Sequence, residues 1–327
     1  HEPSVVDGIN PSPWYALRLV ADTGGERTVI LDYTDYRHRY SPEISSNGRE
    51  WSALPAERTT LNEDNTRASL RLDLAEGESW LAGQPLVSAD EQVAWTREKV
   101  VPAGFSEVVY GRSLEGRALI GFLGGNREAQ RVVVAFTRQH PPETTGQDAF
   151  RGFVARLSAG DGGDVAAFLQ RHLVLLAPMP NPDGVDGGHW RLNSGGIDLN
   201  RDWGPFTQPE TRALSQWIAG EAEGRQVVAF MDFHSTNRDV MYAPPLDAPS
   251  PTIAFLPFLE QRFNETLAAP PEWSYAHNEN SGTSKGWALD ALRAPGVTVE
   301  LWDETPQADA ERIGSVIADA LAAYFAD

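Results

Sequence analysis

Four short runs of aliphatic and β-branched residues constrain the fold of this chain more than any other feature. They are Val132–Phe136, Leu173–Ala177, Val227–Phe233 and Val297–Leu301. Runs of this length, without polar alternation, read as strands buried on both faces. Between and after them the apolar spacing becomes helical. Phe150, Phe153, Val154 and Leu157 fall on one helical face, as do Ile313, Val316, Ile317, Ala320, Leu321 and Tyr324. Strands alternating with helices predict an α/β domain, layered α/β/α around a mixed, mainly parallel sheet.

The first hundred residues follow a different rule. Ala68, Leu70, Leu72 and Leu74 alternate with Ser69, Arg71 and Asp73, and Tyr15, Leu17 and Leu19 alternate with Ala16 and Arg18. Period two with one apolar face predicts half-buried antiparallel strands, hence an antiparallel β-sandwich over residues 1–100. Asp22-Thr-Gly-Gly25 between two such runs predicts a hairpin turn. The boundary is expected between Thr96 and Phe105, with the α/β domain over 101–327; a chain of 327 residues is long enough for both cores.

Composition removes several function classes. The formal charge of -19 argues against nucleic acid, whose phosphates need a basic surface. It equally fails to suggest an anionic membrane surface, and no apolar stretch is long enough to span a bilayer. With no cysteine there is no disulfide, thiolate nucleophile or thiolate metal site. Compartment and oligomeric state stay open.

The chemistry gathers where the buried runs end. After Val132–Phe136 come His140-Pro-Pro-Glu143, and after Val227–Phe233 comes His234. Two imidazoles and one carboxylate with an open fourth position form a recurring catalytic zinc set. In open α/β sheets ligands collect beyond the carboxyl ends of the strands. Glu300, at the end of Val297–Val299, is a carboxylate able to take a proton from water and return it to a leaving amine. A glycine-rich segment, His189-Trp-Arg191-Leu-Asn193 through Asp198-Leu-Asn200-Arg201-Asp-Trp203, supplies arginine forks suited to carboxylates and oxyanions. His38, His172, His189 and His277 read as ordinary histidines, the tryptophans as core or rim, and Gly111-Arg-Ser-Leu-Glu-Gly116 lacks the spacing of a serine-hydrolase turn.

The order His140-x-x-Glu143, Arg191, Asn200-Arg201, His234, Glu300 resembles the zinc metallocarboxypeptidase family over roughly residues 108–327, most specifically in Asp198-Leu-Asn-Arg-Asp-Trp203. Arg138-Gln139 before His140-Pro-Pro-Glu143 resembles the cytosolic-carboxypeptidase branch. So do Trp14-Tyr15 and Tyr40-Ser-Pro with Ser46-Asn-Gly-Arg-Glu-Trp51 in the front domain. The resemblance implies a single zinc held by His140, Glu143 and His234, with Glu300 as general acid/base and Arg191 polarising the scissile carbonyl. Asn200 and Arg201 would grip the terminal carboxylate of a peptide or protein substrate. Lys285, just after the Ser281-Gly-Thr-Ser284 loop, falls where the family reads the last side chain, which implies acidic ends. One departure is visible: that alignment puts Asn278 where the family places a tyrosine, and Tyr275 three residues early. The competing reading is a zinc amidohydrolase of small N-acyl amino acids, which related folds perform with the same ligands.

Overall fold

The computed structural model describes residues 12–160, 163–278 and 281–326. The first eleven residues of the expected sandwich lie outside the described residues. Among the described residues, seven strands build the front domain: β1 (Ala16–Ala21), β2 (Gly25–Asp32), β3 (Glu43–Ser45), β4 (Ser52–Ala53), β5 (Thr59–Leu61), β6 (Arg67–Leu74) and β7 (Gly77–Ala82). They form two antiparallel sheets, ordered β1-β7-β3-β4 and β2-β6-β5. In β6 the expected alternation holds residue by residue: Ala68, Leu70, Leu72 and Leu74 are buried beside Tyr15, Tyr40 and Leu81 in one shared core.

The expected hairpin at Asp22–Gly25 does not form. β1 pairs with β7 in one sheet and β2 with β6 in the other, so this turn carries the chain across the sandwich. Alternation identifies strands but carries no information about partners, and a glycine turn serves a crossing as well as a hairpin.

The all-β pattern also stops earlier than expected. Helix α1 (Ala89–Val100) occupies the end of the first hundred residues, opened by a capping box in which Ser88 and Glu91 satisfy each other's backbone N–H groups. Its Val100 enters the core of the α/β domain.

That domain is an eight-stranded sheet. Its strands are β8 (Ser106–Arg112), β9 (Ala118–Gly125), β10 (Arg131–Thr137), β11 (His172–Ala177), β12 (Gln226–Thr236), β13 (Val240–Ala243), β14 (Glu272–Tyr275) and β15 (Gly296–Trp302), in the order β14-β13-β15-β12-β10-β11-β9-β8. The central pairs β11/β10, β10/β12 and β12/β15 are parallel, as is β13/β14; β8, β9 and the β13/β15 pairing are antiparallel. This is the mixed, mainly parallel sheet expected. Helices α2 (Thr144–Ser158), α3 (Gly163–Leu169), α6 (Phe255–Thr266) and α8 (Gln307–Tyr324) cover one face, and α5 (Pro209–Ala222) and α7 (Ser284–Leu292) the other. The short helix α4 (Pro182–Asp186) follows β11.

Each central strand feeds both layers. In β10, Val133 and Ala135 pack with α2 and α8 while Val132, Val134 and Phe136 pack with α5. Phe150, Phe153, Val154 and Leu157 of α2 are all buried, and losing either phenylalanine to alanine would cost about 3–5 kcal/mol. Helices α2 and α8 touch backbone to backbone: a Cβ at Gly152 would sit 1.9 Å from the Glu311 carbonyl oxygen, and one at Gly314 1.8 Å from that of Ala149. That contact fixes α2, whose start is immediately preceded by a residue of the functional site.

Candidate active site

β10 ends at Thr137, and Arg138 then adopts the left-handed conformation (φ 61°), turning the chain sharply toward the adjoining strand. Buried Arg138 secures this turn by donating to the Pro141 carbonyl at 2.5 Å and to Gln147 Oε1. Burial pulls its pKa down to about 10, so the guanidinium stays charged at neutral pH. The turn delivers His140 and then Glu143, the residue preceding the first turn of α2, where the helix dipole favours a carboxylate. His234 lies inside β12, not in a tail beyond it, and its register partner on parallel β15 is Glu300. Both strands run further than their apolar cores because their polar ends still pair.

The structure brings the three expected ligands together. Glu143 Oε1 is 2.8 Å from His140 Nδ1, Glu143 Oε2 is 2.7 Å from His234 Nδ1, and the two Nδ1 atoms are 3.2 Å apart. A further carboxylate lies against the outer nitrogen of each ring: His140 Nε2 is hydrogen-bonded to Asp198 Oδ1 at 2.9 Å, and His234 Nε2 is 2.9 Å from Asp232 Oδ1 as an ion-pair contact. A carboxylate on Nε2 keeps the proton there and leaves the Nδ1 lone pair for a metal. Burial opposes ionisation of Glu143, yet His140 and His234 hold its carboxyl well below the usual range. Burial likewise opposes charge on His234, and Asp232 and Glu143 hold its imidazole well above its ordinary value. This buried set of two nitrogens and a carboxylate, each imidazole steadied from behind, fits a zinc ion.

Asp198 joins the ligands to the arginine segment. Its Oδ2 accepts from Arg191 Nε at 2.7 Å while its Oδ1 accepts from the Asn200 backbone N–H at 2.8 Å. Burial would raise its pKa, but His140 and Arg191 depress it far below the carboxylate range. Asp232 is equally central, since its Oδ2 accepts from Gln139 Nε2 at 2.7 Å and from the Ser284 hydroxyl. Gln139 is itself fixed by Trp203 Nε1, which donates to Oε1 at 2.8 Å. Sequence reasoning assigned no role to Asp232, although a lone acid in an apolar strand, two residues before His234 and so on the same face, was a visible signal.

Above the ligands lies a cavity of about 190 Å³. Glu300, Arg191, Asn200, Arg201 and Lys285 all line it. The Glu300 Oε2 atom has no hydrogen-bond partner among the described residues, and burial pushes this carboxyl up to about 7. Asn200 is deeply placed, with Oδ1 accepting from the Ser284 N–H at 2.9 Å; Arg201 donates to the Asn200 carbonyl at 2.7 Å. Lys285 is only 5% exposed and its Nζ donates to the His277 carbonyl.

Tyr275 is not brought to the site: its hydroxyl donates to Glu260 Oε2 at 2.8 Å on α6 and its ring stacks on Trp273. Asn278, at the position the family gives to tyrosine, does line the cavity. His277, read as an ordinary histidine, also lies in the wall, stacked 4.1 Å from Tyr242. His172 is a core residue stacked on Phe168, and His189 bonds within its own loop to the Leu192 carbonyl. Tyr36 and Arg39 of the sandwich reach the same cavity, an approach that no spacing along the chain indicates.

Comparison with known proteins agrees with this geometry. The family model described as "Zinc carboxypeptidase" matches residues 98–323. Cytosolic carboxypeptidase 2 of Danio rerio is 34% identical over 118 residues, and cytosolic carboxypeptidase 6 of Homo sapiens is 37% identical over 93 residues. These stretches cover 34% and 27% of this chain but only 16% and 18% of the relatives' own lengths. Among solved structures, a metallo-carboxypeptidase from Burkholderia cenocepacia superimposes with a TM-score of 0.79 at 20% identity, covering 95% of this chain and 88% of its own. A metallo-carboxypeptidase from Pseudomonas aeruginosa, in complex with (2-guanidinoethylmercapto)succinic acid, does so with a TM-score of 0.74 at 21% identity and the same coverage. With more than half of its length matched, the chain belongs to the zinc carboxypeptidase family.

Proposed function

We propose that this protein is a metallocarboxypeptidase that uses one zinc ion to release the last residue of peptides or protein tails, preferring Glu or Asp at that position. The observation that carries the acidic preference is Lys285, a buried ammonium in the wall of the cavity that holds Glu300 and the His140/Glu143/His234 set. Around it the cavity gathers Arg191 and Arg201 as well, so a substrate end bearing two carboxylates meets three cations.

Bound by His140, Glu143 and His234, zinc supplies Lewis-acid polarisation and lowers the pKa of water. Glu300 accepts the proton of the attacking water and delivers it to the leaving amine, the work for which an unpartnered oxygen and a pKa near neutrality suit it. Arg191, anchored through Nε by Asp198, turns its guanidinium to the carbonyl oxygen as negative charge grows there. Arg201 and Asn200 take the terminal carboxylate and so fix which bond is last.

Lys285 then discriminates among side chains. An acidic end brings a carboxylate to this buried ammonium, an attraction that an apolar end does not supply. Such complementarity is worth about 2–4 kcal/mol when desolvated, or roughly 30- to 1000-fold. Measuring kcat/KM for matched peptides ending in Glu, Leu and Lys, with wild type and Lys285→Glu, tests the reading. Wild type should favour Glu and the variant should lose or invert the order. A wild-type preference for Leu or Lys, or an unchanged order in the variant, refutes it.

A further inference from the structure

The cavity has a wall that the reaction above does not use. Tyr36 and Arg39 belong to the sandwich, to the segment between β2 and β3, yet they line the same space as His140, Glu143 and Glu300. Arg39 is held in place from two directions. Its Nε donates to Asp303 Oδ2 at 2.6 Å, just beyond β15, and its guanidinium carbon lies 5.2 Å from the Tyr40 ring and 5.3 Å from the Trp190 ring. Asp303 engages only the Nε edge. Among the described residues no carboxylate or carbonyl accepts from the two terminal amino groups. A guanidinium that is oriented, largely shielded and open at its forked end is a carboxylate receptor.

Its position says which part of a substrate it meets. A second cavity, of about 670 Å³, shares Tyr36, Arg39 and Thr236 with the first but contains neither Arg201 nor Lys285. A peptide whose last residue sits against Arg201 and Lys285 must leave the site in the other direction, and the shared residues mark that exit. Arg37 and His38 line the outer cavity beyond them.

Resting on the carboxypeptidase reading, we propose that Arg39 is a specificity-determining residue supplied by the sandwich domain, binding an acidic side chain on the substrate residue immediately before the scissile bond. The protein thereby selects two consecutive acidic residues, the last through Lys285 and the one before it through Arg39. The sandwich, on this account, is part of the substrate-binding surface.

The experiment uses full-length, zinc-loaded protein and acetylated tripeptides Ala-X-Glu with X as Glu, Leu or Lys. Wild type should show kcat/KM for X = Glu roughly tenfold above X = Leu, as a partly solvated charge pair gives. Arg39→Gln should bring the Glu/Leu ratio to near one, and Arg39→Glu should place X = Lys above X = Glu, an inversion that loosening of the domain joint would not produce. Should Arg39→Glu be inactive, the Arg39→Gln ratio decides. Wild type indifferent to X, or Arg39→Gln retaining the tenfold ratio, overturns the assignment. The two readings fail separately. If none of the peptides loses its last residue, the carboxypeptidase reading falls; if Glu ends are released irrespective of X, only the role of Arg39 falls.

Discussion

Replacing Asp232 by asparagine tests how the metal ligands are held. Asp232 contributes no donor to the ion, yet its Oδ1 sits 2.9 Å from His234 Nε2 and its Oδ2 gathers Gln139 and Ser284. The amide keeps the shape and loses the negative charge beside the imidazole. Losing such an outer partner lowers metal affinity about 10- to 100-fold, which is about 1.4–2.7 kcal/mol. Asp198→Asn removes the corresponding carboxylate from His140 and also the one that accepts from Arg191 Nε at 2.7 Å. The two variants should therefore match in zinc affinity and differ in turnover. With zinc saturating, Asp232→Asn should recover most of its kcat/KM, while Asp198→Asn should stay at least tenfold down because the arginine has lost its carboxylate partner. Zinc Kd is read by competition with a fluorescent chelator, and turnover on a fixed Glu-terminated peptide. Asp232→Asn with a Kd within twofold of wild type would refute the orienting role, and equal turnover of the two variants at saturating zinc would refute the Asp198–Arg191 link.

Glu300→Gln should retain zinc and lose about 10²–10⁴-fold in turnover. Because burial lifts Glu300 to about 7 and a bound dication pulls it down, kcat/KM should fall on an acidic limb at or below pH 7; survival of that limb in the residual activity of Glu300→Gln would reassign it. Burial raises the Asp148 pKa to about 7, above its unfolded value, so its contribution to stability is complete at low pH and is lost as pH rises through about 7. Asp148→Asn should accordingly be more stable than wild type at pH 8 by up to about 4 kcal/mol, with the advantage vanishing near pH 4, read by urea unfolding at both values. Gly146→Ala places a Cβ 2.3 Å from the His234 carbonyl oxygen, so it should push α2 off β12 and cut zinc affinity at least tenfold by chelator competition; a normal Kd would show that the helix start is not what sets Glu143.

The candidate site residues were legible because apolar strands ending in polar residues announce themselves in one dimension. His140, Glu143, His234 and Glu300 all stood next to runs that became β10, β12 and β15. Helix α1 was missed for the opposite reason: its buried face is Ala89, Gln92, Thr96 and Val100, two of them polar, so no apolar stripe appears. The capping pair Ser88 and Glu91 was the signal that remained. The sheet crossing at Asp22–Gly25 and the arrival of Arg39 beside Glu143 depend on how two layers and two domains meet, which period and spacing along one strand do not encode.

Trp190 has a consequence for anyone who would cut the protein in two. It precedes Arg191, the arginine proposed to meet the oxyanion, but its ring packs with the sandwich core, edge-on to Tyr40 at 6.5 Å and beneath Arg39. The sandwich thus acts as a fixture that clamps a loop belonging to its neighbour. A fragment trimmed to the zinc-binding half would keep its ligands on rigid strands and lose the brace behind one arm of the site, leaving a metal-binding protein with an unsteady grip on its substrate.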